Sequence, residues 1–236
     1  MPQYFIPAEN IRNGEFSAGP EESLHIARVA RARAGDGIDI FDGKGNRYRA
    51  VIKSSSREAV SGTVTDRLPS PEYKTRITLC FSAVARAALE SVLEHCTEAG
   101  VEIFQPVISA RTQFDLLGGW ERRLARFNQI LMSAAKQCGR GRLPELRRPE
   151  KFADLLISGG PAVVASAEGK SPDETAGGLA GKMDVRLFVG PEGGFTKEEL
   201  DLARSRGAAF MNLGLYTLRA ESACLAASSA LLTRLG

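Results

Sequence analysis

Histidine and cysteine are scarce, two and four respectively in 236 residues. His25 and His95 have no cluster of cysteines or acids beside them, and Cys80, Cys96, Cys138 and Cys224 lie too far apart for metal-finger spacing, so no metal site is expected. The same scatter offers no disulfide framework. The cysteines stand in apolar or helical contexts, as small buried hydrophobes of a reducing cytosol do. No uninterrupted apolar stretch reaches the ~18 residues of a membrane-spanning helix, and Met1 to Asn10 lacks a basic region followed by a long apolar run. A cytoplasmic protein without a membrane partner is the expectation. A strong charge of one sign is missing too: the formal net charge of +3 is too small to imply a nucleic-acid partner by itself.

What is present is ordinary for a globular chain. Hydrophobic residues make up 43% and charged ones 25%, which excludes a disordered or fibrous protein. Charge is nevertheless uneven. Arg122, Arg123, Arg126, Lys136, Arg140, Arg142, Arg147 and Arg148 face the single acid Glu145 within one segment, a pattern expected to make a basic face. Residues 1–72, by contrast, carry ten basic and ten acidic side chains and form no strongly charged docking arm.

The rhythm of the chain changes near Leu68-Pro69-Ser70-Pro71, where proline restricts both itself and its predecessor to extended backbone. Residues 1–72 read as a small, mainly β domain, with a helical stretch from Pro20 to Ala34 and strands at Ile38–Phe41, Tyr48–Ser54 and Ala59–Thr65. Residues 73–236 alternate strands with helices. Strands are expected at Thr78–Phe81, Val101–Val107, Ala162–Ala167, Val185–Val189 and Ala209–Asn212. One helix runs from about Val84 to Ala99, with Val84, Ala88, Val92, Cys96 and Ala99 as its apolar positions. A second runs from Trp120 to Gln137, with Trp120, Leu124, Phe127, Leu131 and Ala134 on one side. Further helices are expected at Glu198–Arg206 and Glu221–Leu235, with a loop at Glu168–Lys182. The result is an α/β domain built on a mostly parallel sheet.

Two segments carry the chemical signal. In Leu187-Phe188-Val189-Gly190-Pro191-Glu192-Gly193-Gly194-Phe195-Thr196, an apolar strand ends in a glycine-rich turn. A helix follows, opened by Thr196 with Glu199 three residues on, the spacing of a capping box. Ligands of open α/β sheets collect at such carboxyl ends of strands, and glycine lets backbone groups approach them. The spacing is neither a dinucleotide fingerprint nor a phosphate loop, and a turn serving geometry alone stays open. Glu192 must be solvated, paired or used on a partner. The second segment, Asn212-Leu213-Gly214-Leu215-Tyr216-Thr217-Leu218-Arg219-Ala220-Glu221-Ser222, also joins a strand to a helix, and Arg219 either pairs with Glu221 or reaches outward. The small residues Ala223 to Ala230 suit close helix packing, with a dimer interface as a special case.

Together these segments resemble those of the bacterial small-subunit ribosomal RNA methyltransferase E family, of the SPOUT superfamily. Thr97-Glu98 with Gly100, Ser109 with Arg111, and Gln137 with Arg140 match further family stretches in the same order, so the resemblance covers nearly the whole chain. The sequence departs from the family at Leu215-Tyr216-Thr217-Leu218, where Pro-Arg-Ile-Leu is usual, and at Ala110, where Glu is usual.

The resemblance implies an α/β fold of SPOUT type, with a trefoil-knotted methyltransferase domain behind an N-terminal PUA-like β-barrel domain. It implies a homodimer that transfers a methyl group from S-adenosylmethionine (SAM) to N3 of a uridine near the 3′ end of 16S rRNA in the small ribosomal subunit. On the matching positions it places SAM against Leu187, Val189, Gly190, Pro191, Glu192, Gly193, Gly194, Leu213, Gly214, Leu218, Ala220 and Ser222, and the chemistry on Arg219 and Glu221. Arg12, Arg28, Arg31, Arg111, Gln137 and Arg140 are the candidates for RNA contact. A SPOUT enzyme acting on another RNA atom, and an RNA-binding ribosome-assembly protein without catalysis, are the two other readings.

Overall fold

A computed structural model of the chain describes residues 3–82, 86–112 and 117–236. Val84, expected on the first long helix, lies outside them. The chain forms two compact units: Met1–Pro71 with Met132–Leu143, and Glu72–Leu131 with Pro144–Gly236.

The first unit contains β1 (Gln3–Phe5), β2 (Ile11–Arg12), β3 (Glu15–Ser17), α1 (Pro20–Leu24), β4 (Gly37–Phe41), β5 (Arg47–Ser55) and β6 (Val60–Leu68). Its six strands form one sheet in the order β1-β4-β5-β6-β3-β2, antiparallel except for the β1–β4 pair. Alternate residues such as Ile38, Ile40, Ala50 and Ile52 enter a core with Tyr4, Phe16, Ile26 and Val60. The sequence carries no expectation for β1 to β3, which are two or three residues long and too short for alternation to show.

The expected helix from Pro20 to Ala34 stops early. After α1 a single π turn spans His25–Val29. Arg31 then takes a left-handed φ of 56°, and the Ala32 amide bonds back to the Ile26 carbonyl at 3.1 Å. That closure satisfies the last carbonyls of the helix and ends it. Lys136, expected on a basic face, is turned inward instead. It pairs with Glu22, which is 9% exposed and also accepts from the Phe5 amide at 3.2 Å. Gln3 anchors the same segment by donating to the carbonyls of Ala135 and Arg140 at 3.0 and 2.7 Å.

The second unit contains β7 (Arg76–Phe81), α2 (Arg86–Ala99), β8 (Ile103–Ile108), most of α3 (Trp120–Cys138), β9 (Glu145–Leu146), β10 (Glu150–Lys151), α4 (Phe152–Ile157), β11 (Ala162–Lys170), α5 (Pro172–Gly177), β12 (Asp184–Val189), α6 (Lys197–Ser205), β13 (Ala209–Met211) and α7 (Ala220–Leu235). The sheet order is β10-β8-β7-β12-β11-β13, with β9 also on β8, and every pair is parallel.

Such a sheet needs cover on both faces, and its strands are apolar at consecutive positions for that reason. Ile77, Leu79, Phe81, Leu187 and Val189 pack with Leu89, Val92 and Cys96 of α2, Trp120 and Phe127 of α3 and Leu231 of α7. The alternate residues Cys80, Val164 and Phe188 join Phe152 and Leu156 of α4 and Ala203 of α6 in a separate core. Each such fully buried large side chain contributes roughly 1.5–3 kcal/mol.

Besides the short strands β9 and β10, two features differ from the expectation. Glu168–Lys182 is no loop: β11 runs on to Lys170, and Ser171 caps α5 in a capping box with Glu174. The signal is Ser171-Pro172-Asp173-Glu174, a cap residue followed by a proline suited to the first helical turn. The six-residue α4 also lies where no helix is expected.

The cysteines give a direct check of this packing. Cys80, Cys96 and Cys224 are buried and Cys138 is exposed. Burial pushes the Cys80 and Cys96 thiols up to about 12, and raises Cys224 as well. An alkylating reagent is therefore expected to label one thiol of the native chain and four of the unfolded one, read by mass spectrometry. Because these groups hold their protons longer when folded, their contribution to stability is intact below about pH 9. It is lost progressively as pH rises towards about 12. Urea midpoints measured across that window should fall.

Candidate functional site

The carboxyl ends of β11, β12 and β13, neighbours in the sheet, surround a cavity of about 300 Å³. Strand β11 shapes one wall by leaving register: Ala165 pairs with Met211, and so does Lys170, leaving Ser166–Gly169 bulged between them. Gly169 makes this possible. A Cβ there would lie 2.4 Å from the Met211 nitrogen and 2.5 Å from its carbonyl carbon. Asn212 ties this wall to the next loop. Its Nδ2 donates to the Ala167 carbonyl at 2.9 Å and its Oδ1 accepts from the Gly214 amide at 2.7 Å. Gly214 has φ 126°, a conformation essentially reserved for glycine.

The glycine-rich loop after β12 makes the facing wall. It folds back on itself: the Gly194 amide donates to the Pro191 carbonyl at 2.7 Å, and a Cβ at Gly190 would lie 3.2 Å from the Phe195 nitrogen. The capping box expected at Thr196 is present, with the Glu199 amide on Thr196 Oγ1 at 3.3 Å and the Thr196 amide on Glu199 Oε2 at 2.8 Å.

Val189, Gly190, Pro191, Glu192 and Gly194 line the cavity from this loop, and Leu213, Gly214, Leu218 and Ala220 from the other. Leu187 lies in the core beneath them, Gly193 turns its carbonyl to the Arg111 guanidinium, and Ser222 is exposed on α7 away from the wall. Ala165, Ser166 and Ala167 also line it without being singled out in the sequence, and so do Asn212, Leu215, Tyr216 and Thr217, which belong to the second segment but not to the expected SAM contacts. Asn two residues before Gly is a local signal for the turn at Asn212. Nothing local marks the end of β11, whose place beside β12 and β13 follows from strand order.

Arg219 is exposed at the N-cap of α7, and its carbonyl accepts from the Ala223 amide at 2.8 Å. Among the described residues no ion pair joins it to Glu221, which is half-buried in the first turn, so Arg219 reaches outward. Electrostatically the wall is nearly neutral. Among its described residues Glu192 carries the only formal charge, and no arginine or lysine lines it. Backbone groups and apolar side chains define the rest, a surface for an uncharged or cationic ligand with apolar rings.

Of the RNA candidates, Arg111 belongs to the second unit, and Arg12, Arg28, Arg31, Gln137 and Arg140 to the first. Arg12, Arg28, Arg31 and Gln137 are exposed, and Arg12 Nε donates to the Glu9 carbonyl at 2.8 Å. The expected basic face is largely offset. Arg126 pairs with Glu90 at 3.3 Å, Arg147 with Glu145 at 2.9 Å and Arg148 with Glu121 at 3.3 Å, besides Lys136 with Glu22. Glu22 and Glu90 lie far from the segment in sequence, which is why local charge counting misses them, and Glu121 immediately precedes it.

Among the described residues no helix is long and apolar enough to cross a membrane, and no group of three His, Cys, Asp or Glu is placed to hold a metal ion.

Residues 71–232 match the RNA methyltransferase domain family, and residues 18–65 the RNA methyltransferase PUA domain. The ribosomal RNA small subunit methyltransferase E of Synechocystis is 29% identical over 228 residues, covering 92% of this chain and 73% of the relative. A methyltransferase structure from Legionella pneumophila with bound SAM superposes with a TM-score of 0.87 at 26% identity, covering 99% of this chain and 97% of that one. The ribosomal RNA small subunit methyltransferase E of Neisseria gonorrhoeae, bound to S-adenosyl methionine, gives 0.83 at 26% identity, with 99% and 97% covered. The parallel sheet preceded by a PUA domain is the SPOUT-type architecture that the sequence led us to expect. With the family domain spanning most of its length and both signature segments opening onto one cavity, the chain belongs to the RNA methyltransferase family.

Proposed function

We propose that this chain is a cytoplasmic enzyme that transfers a methyl group from SAM to N3 of a uridine near the 3′ end of 16S rRNA in the small ribosomal subunit, working as a homodimer with a knotted SAM site. Residues 73–236 carry out transfer in this reading, and residues 1–72 dock the RNA. The observation that carries it is the meeting of the two motif segments around one near-neutral cavity. The SAM-bound relatives from Legionella and Neisseria support the choice of cofactor.

The residues present suit SAM. It carries no phosphate, and the wall offers no basic side chain; it carries a sulfonium cation, and the single charge of the wall is the Glu192 carboxylate. When bound, SAM supplies an activated methyl group on that sulfonium. The backbone groups of Gly190, Gly194, Leu213 and Leu218 hold and orient it, converting a bimolecular transfer into a local one. Arg219, exposed beside the cavity lip formed by Leu218, stabilises negative charge on the uracil carbonyl oxygens as N3 loses its proton. With no ion pair between them, Glu221 has the acceptor role for that proton rather than the role of orienting Arg219. Arg12, Arg28, Arg31, Gln137 and Arg140 contact RNA through phosphate and 2′-hydroxyl groups, with Arg111 adding a contact from the methyltransferase domain.

The test is methyl transfer from labelled SAM to small ribosomal subunits by the wild-type chain and Arg219→Ala. The variant is expected to bind SAM within about twofold of wild type and to transfer about 100-fold more slowly, the usual loss for one transition-state charge partner. An unchanged rate removes Arg219 from the mechanism.

A further inference from the structure

Glu199 reads from sequence as a helix cap, but its two carboxylate oxygens go separate ways. Oε2 accepts from the Thr196 amide at 2.8 Å and closes the capping box, whereas Oε1 accepts from the Ala110 amide at 2.8 Å, on the segment that follows β8. The next residue, Arg111, donates to the carbonyl of Gly193, within the loop that walls the cavity. The segment is stiff in itself. The Ser109 amide donates to Thr112 Oγ1 at 2.9 Å, and Ser109 Oγ lies 3.2 Å from the buried Ser82 Oγ at the end of β7.

Arg111 is exposed, and among the described residues its guanidinium makes no ion pair. The Glu198 carboxyl is held below its ordinary value by its own amide and the Thr196 hydroxyl, and the positive charge of Arg111 adds to this. Arg111 therefore stands within electrostatic reach of the start of α6, beside the glycine-rich loop, with most of its five N–H groups directed to no described partner.

We infer that Glu199 is a positioning residue for methyl transfer: through the Ala110 amide it fixes the segment that seats Arg111 on Gly193, so that the remaining guanidinium N–H groups meet an oxygen of the RNA acceptor. The inference rests on the function proposed above. A carboxylate is required because two amide donors converge on it. In glutamine an NH2 donor replaces one of the two oxygens and faces an amide N–H, so in this arrangement either Thr196 or Ala110 loses its acceptor. Thr196→Ala, in contrast, removes a cap acceptor and leaves the bridge to Ala110 in place.

A double-mutant cycle on kcat/KM, with labelled SAM and small ribosomal subunits, separates positioning from cap stability. Glu199→Gln is expected to lower kcat/KM about tenfold with SAM affinity within about twofold, as loss of one charge-assisted hydrogen bond would. In an Arg111→Ala background the same change should cost less than about twofold, because its effect passes through Arg111. Thr196→Ala should lower the melting temperature and leave kcat/KM near wild type. Ala110→Pro removes the bridging N–H by another route, while also restricting its own backbone and that of Ser109; it is expected to reproduce the loss and serves if Glu199→Gln does not fold. Losses that multiply in the double variant, or an equal loss in Thr196→Ala, overturn the inference while leaving the proposed function standing. A wild-type chain that binds SAM and transfers no methyl group refutes the proposed function itself, and this role with it.

Discussion

Asn212→Ala is expected to weaken SAM binding about 30-fold while the chain remains folded. Asn212 is half-buried at the end of β13, and its side chain is the tie between two cavity walls, donating to Ala167 and accepting from Gly214. Each of these hydrogen bonds contributes about 1 kcal/mol net, and losing both costs about 2 kcal/mol, a factor of roughly 30 in an equilibrium constant. The loss falls on binding because the freed groups are loop atoms that water can reach, so melting should change by only a few degrees. Asn212→Asp sharpens the point. It keeps the acceptor for Gly214 but sets a carboxylate oxygen against the Ala167 carbonyl, and it should bind SAM no better than the alanine variant. Titration calorimetry reads both; wild-type affinity in either variant would show that the tie does not shape the SAM site.

A large loss of stability is expected from Gly169→Ala. A methyl carbon there would sit 2.4–2.5 Å from three backbone atoms of Phe210 and Met211, where ordinary carbon contacts are about 3.5–4.0 Å. Backbone of the β11–β13 pair has to move, at a cost of roughly 3 kcal/mol, which lowers the melting temperature of a chain this size by about 6–12 °C. Gly193→Ala is the matched comparison. The nearest atom to its added Cβ is the Arg111 Cδ at 3.4 Å, the end of a contact that can yield, so its melting temperature should move far less. Equal shifts in a thermal melt would mean that the bulge is not held as described.

The contrast between these glycines shows what the sequence can and cannot reveal. The glycine-rich turn, the capping box at Thr196 and the apolar face of α3 are set by residues within a few positions of one another, and periodicity or cap spacing exposes them. The third wall of the cavity is different. Ala165 to Ala167 reach it only because β11 lies between β12 and β13, and strand order is fixed by long-range packing rather than by any local pattern. The basic segment misleads for the same reason, since Glu22 and Glu90 offset part of it from elsewhere in the chain. The helix after Pro20 is overextended in the sequence because nothing in its composition marks Arg31 as left-handed. Glu199 stands between these cases: its cap role is local and legible, and its bridge to Ala110 is neither.

The most direct test of the proposed activity is methyl transfer from labelled SAM to two substrates, unmodified small ribosomal subunits and naked 16S rRNA, with the product nucleoside identified and its position mapped. A single N3-methyluridine near the 3′ end of 16S rRNA, formed faster on subunits than on naked RNA, is the predicted result. A methyl group on another atom or at another position, or SAM binding with no transfer to either substrate, would contradict it.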